Sequence, residues 1–170
     1  MADIKATVVK IRSLIKSRNI SEARDTVQRE LEKIPNQLNL LIVATEVYRA
    51  SDDLEKSLEY AELLISNYPG NWIGYGRAAK DLVVLQRIKE AQVKIQKGLE
   101  RIPNQLNLLT IAIEVFRAAD DKEKYLELLE NYFECSKKLV QQNVKLPVSV
   151  FNELLIYTLG KEKSSEVNQS

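Results

Sequence analysis

The sequence predicts an all-α protein made by stacking one helical hairpin several times. Three observations predict it. Pro35, Pro69 and Pro103 stand 34 residues apart. The text around them repeats: residues 31–41 read LEKIPNQLNLL and residues 99–109 read LERIPNQLNLL, while ATEVYRASDDLEKSLEY at 44–60 returns as AIEVFRAADDKEKYLEL at 112–128. Helix breakers are scarce, with five Gly and four Pro in 170 residues, which disfavours a many-stranded sheet. A fixed period of this length marks a repeat architecture, and the strongest similarity returns after two periods.

The elements follow in order. Residues 1–37 read as a degenerate hairpin: VVKIRSLIKS fits a first helix, and Ile20, Ala23, Val27 and Leu31 line a second. In the unit 38–71, Leu40, Leu41, Ala44, Val47 and Tyr48 fall three and four apart, the spacing of one helix face. Ser51, Asp52 and Asp53 interrupt it, and either Asp can cap the next helix by accepting backbone N–H bonds. That helix carries Leu54, Leu58, Ala61, Leu64 and Ile65, and it ends before Pro69, whose ring cannot continue it. Asn71 is placed to cap the unit 72–105. The unit 106–143 repeats the scheme with a longer second helix that runs past Cys135. Residues 147–159 read as a capping helix begun at Pro147 with Ser149 as a possible cap, and 160–170 as a mobile tail. A single such hairpin cannot bury its own apolar face, so the unit must recur and its end must be covered.

Composition narrows the function. Hydrophobic residues make up 45% and charged residues 29%, the balance of a folded chain. The net charge of +1 lacks the basic excess of a dedicated nucleic-acid binder. With no histidine, the commonest general base and zinc ligand are missing, so neither a cofactor nor a metal site is expected. Cys135 is the single cysteine and has no histidine to activate it, and no phosphate-binding glycine loop is present. These absences point away from an enzyme. No apolar run is long enough to cross a bilayer and the N-terminus lacks a signal peptide's apolar core, so the expected location is cytoplasmic.

A 34-residue helix–turn–helix unit closed by proline resembles the tetratricopeptide repeat, in a bacterial-type array. The unit 72–105 carries the pattern best, through Tyr75, Ala78, Ala79, Leu82, Ala91, Ile95, Gly98 and Pro103; the unit 38–71 matches at Leu41, Ala44, Thr45, Tyr48, Ser57, Ala61, Leu64 and Pro69. The third unit departs, with Ile113, Tyr125 and Tyr132 at small-residue positions and Lys137 at the proline. The resemblance implies a right-handed superhelix whose first helices line a concave groove for a protein or peptide partner. Carried onto this chain, the groove positions are Asn39, Ile42, Glu46 and Arg49, then Ile73, Gly76, Lys80 and Val83, then Asn107, Thr110, Glu114 and Arg117.

Two readings of these residues stand side by side. Glu46 with Arg49, and Glu114 with Arg117, sit three apart and can pair within one helix. Alternatively, Arg49, Lys80 and Arg117 grip an acidic partner. A chaperone-tail clamp is not expected, because Ile42, Glu46 and Ile111 stand where that clamp needs polar or basic groups. Trp72 reads as packing rather than as a ligand anchor. The wording NWIGYGRAAKDL (71–82) also resembles arrays associated with surface-polysaccharide and glycosyltransferase systems, which would make the chain a non-catalytic accessory domain. The basic helix bearing Lys5, Lys10, Arg12, Lys16 and Arg18 over the stripe Ile4, Val8, Ile11 and Ile15 offers another use, binding nucleic acid or a membrane surface; the alternative is a capping helix with a solvated basic face. Arg87, Lys89, Lys94, Lys97 and Arg101 form a second basic stretch on the convex side. The apolar segment 147–159 can seal the array or join two copies as a homo-oligomer.

Overall fold

The computed structural model describes residues 3–140, which form eight α-helices and, among the described residues, no strand. The segments 147–159 and 160–170 lie outside the described residues, as do residues 141–143. The helices are α1 (Ile4–Lys16), α2 (Ile20–Lys33), α3 (Leu38–Ala50), α4 (Leu54–Asn67), α5 (Trp72–Val84), α6 (Ile88–Arg101), α7 (Leu106–Ala118) and α8 (Lys122–Val140). The odd-numbered helices all have 13 residues, α2, α4 and α6 have 14, and α8 runs on to 19. α4 stops at Asn67 before Pro69, whereas α8 meets no proline at the matching position and continues.

Local chemistry sets the ends. First helices start on side-chain caps: Asp3 accepts from the N–H groups of Lys5 and Ala6, Gln37 from Leu40, Asn71 from Ile73 and Gln105 from Asn107. Of the two aspartates between α3 and α4, Asp53 is the cap, accepting from Lys56 N–H, because Asp52 is spent on the turn with φ 59. The same left-handed conformation recurs at Arg18, Gln86 and Asp120, with φ 61, 60 and 53. At each turn two N–H groups reach back to the last carbonyls of the first helix, as in Asp52 to Arg49 and Asp53 to Tyr48. No glycine occupies any of these four places, so the turns tolerate a strained residue in exchange for a fixed hairpin angle.

Each hairpin packs on the next. One core joins Val8, Ile11, Ala23, Val27, Leu40, Val43 and Val47 from α1 to α3; a larger one runs from α4 to α8 through Tyr75, Leu82, Ile95, Leu109, Val115 and Tyr132. Fully burying one such Leu or Ile contributes roughly 1.5–3 kcal/mol. The stripe Val8 and Ile11 of α1 is therefore consumed in the array, while Tyr48 stacks on Tyr60 at 5.3 Å and its hydroxyl accepts from Gln28 at 2.8 Å. Along the odd-numbered helices, α1 lies on α3 and α5 on α7, but α3 and α5 touch over far less of their length.

Glycines let helices approach, unequally. A Cβ at Gly98 would stand 2.8 and 2.9 Å from the stem and ring of Tyr75, which cannot move aside. A Cβ at Gly76 would meet the end of a flexible chain, Ile111 Cδ1, at 2.6 Å. Gly98→Ala is thus expected to cost about 2 kcal/mol from overpacking. Gly76→Ala is expected near zero, since about 0.8–1 kcal/mol of helix propensity offsets a rotamer change. Urea unfolding of both variants checks this, and equal losses would contradict the distinction.

Candidate functional site

A step of 34 residues moves from one first helix to the same place on the next, so the odd-numbered helices present four columns of side chains. They are Lys5–Asn39–Ile73–Asn107, Val8–Ile42–Gly76–Thr110, Arg12–Glu46–Lys80–Glu114 and Ile15–Arg49–Val83–Arg117. Asn39, Asn107, Glu114 and Arg117 are exposed; Glu46, Arg49, Ile73, Lys80, Val83 and Thr110 are half-buried; Ile42 and Gly76 are buried in the floor. The third column alternates in charge, and its members pair between helices. Arg12 donates through Nε and Nη2 to Glu46 at 2.9 and 3.1 Å, and Lys80 Nζ lies 3.3 Å from Glu114.

These pairs correct the intrahelical reading at Glu46 and Arg49. Glu46 bonds forward to Arg77 Nη2 at 3.1 Å as well as back to Arg12, and Arg49 Nη1 donates to Asp81 at 2.6 Å. Arg77 and Asp81, one turn apart on α5, face back toward α3 and so intercept the groups expected to pair along it. Arg49 and Lys80 are thus already engaged by carboxylates of this chain.

Asp81 is the centre of the arrangement. It is fully buried, and its second oxygen accepts from Ser57 Oγ of α4 at 2.6 Å, with Thr45 O 3.2 Å from the same hydroxyl. Burial pushes the Asp81 carboxyl above its usual range, opposed by the Ser57 hydrogen bond and by Arg49 and Arg77. Protonated, Asp81 can donate to Ser57 Oγ while the hydroxyl turns to Thr45 O, so both charge states find partners. Burial likewise lowers the Arg77 pKa, while the hydrogen bond to Glu46 raises that of Arg12.

The raised Asp81 value has a signed consequence. The native state holds this proton more tightly than the unfolded chain. The resulting stability is fully present below the ordinary value of 3.8 and is lost as pH rises through the raised folded value. Wild-type stability minus that of Asp81→Asn is expected to fall across this window and then level off, measured by urea unfolding at a series of pH values. A difference independent of pH would mean that Ser57 and the arginines fully offset the burial.

Sequence reasoning passed over Arg12, Ser57, Arg77 and Asp81 as interacting groups, although the period itself marks them. At the seam where α3 and α4 meet α5 the four facing residues are Arg49, Ser57, Arg77 and Asp81. One period earlier the same places hold Ile15, Ala23, Val43 and Val47; one period later they hold Val83, Ala91, Ile111 and Val115. All four positions are polar in the middle seam and apolar or small in both flanking seams.

Elsewhere, the basic stretches are partly spent on carboxylates. Lys10 pairs with Glu22, Arg87 with Glu90 and Glu55, and Lys94 with Glu62. Trp72 packs partly against the larger core, its ring beside Gly76. Cys135 is half-buried, its Sγ 3.4 Å from the side-chain oxygens of Asn104 and Asn131. Among the described residues no cluster of His, Cys, Asp or Glu suits a metal, and no helix is long and apolar enough to cross a membrane.

No protein-family model matches the sequence, and no curated protein matches it. Solved structures do match. The thermophilic TPR protein TTC0263 of Thermus thermophilus superposes with a TM-score of 0.69 at 15% identity, over 90% of this chain and 82% of that one. A MamA RS-1 double mutant gives 0.69 at 11% identity, over 99% and 91%. The first TPR domain of human RPAP3 gives 0.59 at 19% identity, over 69% and 92%. At such identities the likeness is one of fold, and it agrees with the period, the hairpins and the closing prolines: the chain is a tetratricopeptide-type helical repeat, an all-α superhelical array.

Proposed function

We propose that the chain is a protein-interaction adaptor that holds a peptide or helix of a partner protein along the face of its first helices and catalyses nothing itself. The observation that carries this reading is the continuity of that face across four stacked helices. It combines exposed polar groups at Asn39, Asn107, Glu114 and Arg117 with an apolar floor at Ile42, Ile73 and Val83. Apolar contact supplies affinity and the polar rim fixes register, the combination that segment recognition requires. On the second helices the large exposed apolar residues, Leu63, Val93 and Leu126, stand singly on three different helices, each beside a charged residue.

Site-specific photocrosslinkers test the reading. Placed at Asn39 or Asn107 in the living cell, they are expected to trap a defined partner, and at Val93 to trap none. Adducts at Val93 alone would move the interface to the opposite face.

A further inference from the structure

The polar middle seam departs from the rest of the array, because both flanking seams place apolar or small residues at the same four positions. A buried ion pair is seldom more stabilising than well-packed apolar side chains of similar volume. Three guanidinium groups, Arg12, Arg49 and Arg77, meet two carboxylates, Glu46 and Asp81, which leaves a surplus of one positive charge. A guanidinium carries several N–H donors, yet Arg77 spends one on Glu46 and Arg49 one on Asp81. The side chains remain reachable, with Arg77 32% and Arg49 28% exposed, while Asp81 beneath them is 0% exposed. Glu46 shows how a carboxylate is held there: Arg12 grips both of its oxygens, and Arg77 adds a third bond.

We propose that this seam is an acidic-side-chain site, in which a Glu or Asp within the partner segment bonds to Arg77 and Arg12 beside Arg49. The proposal rests on the groove reading above and gives it a chemistry. Charge complementarity selects an acidic group, and the apolar residues Ile42 and Ile73 nearby select an apolar neighbour for it in the partner. The site lies midway along the array, with α1 before it and α7 after it, so a bound segment continues on both sides. That favours an internal side chain over a chain terminus. Arg49 and Lys80 then act behind the site, holding Asp81 and Glu114, instead of gripping the partner directly.

The test uses the full chain and a positional library of short fluorescent peptides, blocked at both ends, with each position fixed in turn as Glu, Gln, Leu or Lys. At one interior position Glu is expected to bind about tenfold more tightly than Gln, the ratio of one charge-assisted hydrogen bond. The preference is expected to vanish in the variant Arg49→Val, Ser57→Ala, Arg77→Ile, Asp81→Val, which copies the flanking seam, while preferences at other positions persist. Glu46→Gln removes the internal competitor and is expected to strengthen the Glu peptide. If the four-residue variant fails to fold by circular dichroism, Arg77→Gln replaces it, with the same loss expected. Peptides bound without a Glu preference, or with one that survives these variants, would overturn the acidic site and leave the groove reading intact. Binding of no peptide at all would overturn both.

Discussion

Asp81→Ala is expected to destabilise the protein by about 3 kcal/mol, at the lower end of the cost of breaking one partner out of a buried pair. The substitution leaves the half-buried Arg49 without its carboxylate and removes the acceptor of Ser57 Oγ. Ser57→Ala should cost less, about 1 kcal/mol, because Asp81 keeps Arg49. The double variant Arg49→Ala, Asp81→Ala should lose less than the sum of its parts, since each single change leaves a charge stranded. Urea unfolding of the four proteins supplies the cycle, and strict additivity would show that the pair is not coupled.

The four-residue change that copies the α5–α7 seam is expected to act in the opposite direction. Substituting Val, Ala, Ile and Val at 49, 57, 77 and 81 places there the residues that already pack one period later, at 83, 91, 111 and 115. Replacing a buried ionic cluster by packed apolar groups stabilises proteins by roughly 1–4 kcal/mol in comparable cases. For a chain of this size that is an increase in melting temperature of about 2–4 °C per kcal/mol. A loss of stability would mean that the backbones of α3 and α5 cannot close onto apolar side chains.

Much of the fold was legible in the sequence because each unit repeats the same signals. Pro69 and Pro103 end second helices, and the threefold and fourfold apolar spacing fixes which face is buried. Such signals are local, and the period shows them more than once. The choice between Asp52 and Asp53 was not legible, because it depends on which residue the turn drives into the left-handed region. Nor were the ion partners of Glu46 and Arg49. A residue three positions along one helix and a residue one unit away compete for the same charge, and only the packing of α5 decides. The groove positions came from the resemblance to the tetratricopeptide repeat, and the period aligns them into columns from one unit to the next. The polar seam required comparing each column across units, which shows four departures at a single junction.

That junction also bears on how the molecule comes apart. In a linear array, each hairpin is held by its own stability and by coupling to its neighbours, so cooperativity is only as strong as the weakest junction. Here the α1–α3 core and the α4–α8 core meet through the α3–α4 hairpin, where Leu41 and Ile42 pack on Leu64 and Tyr48 stacks on Tyr60, while α3 and α5 are joined chiefly by ion pairs. Amide hydrogens of α1 and α2, an end hairpin of the described array, should therefore exchange through a partial opening that spares α5 to α8. An acidic segment seated across the junction would couple the two cores, so that occupancy of the groove is read out at the N-terminal hairpin as slower exchange.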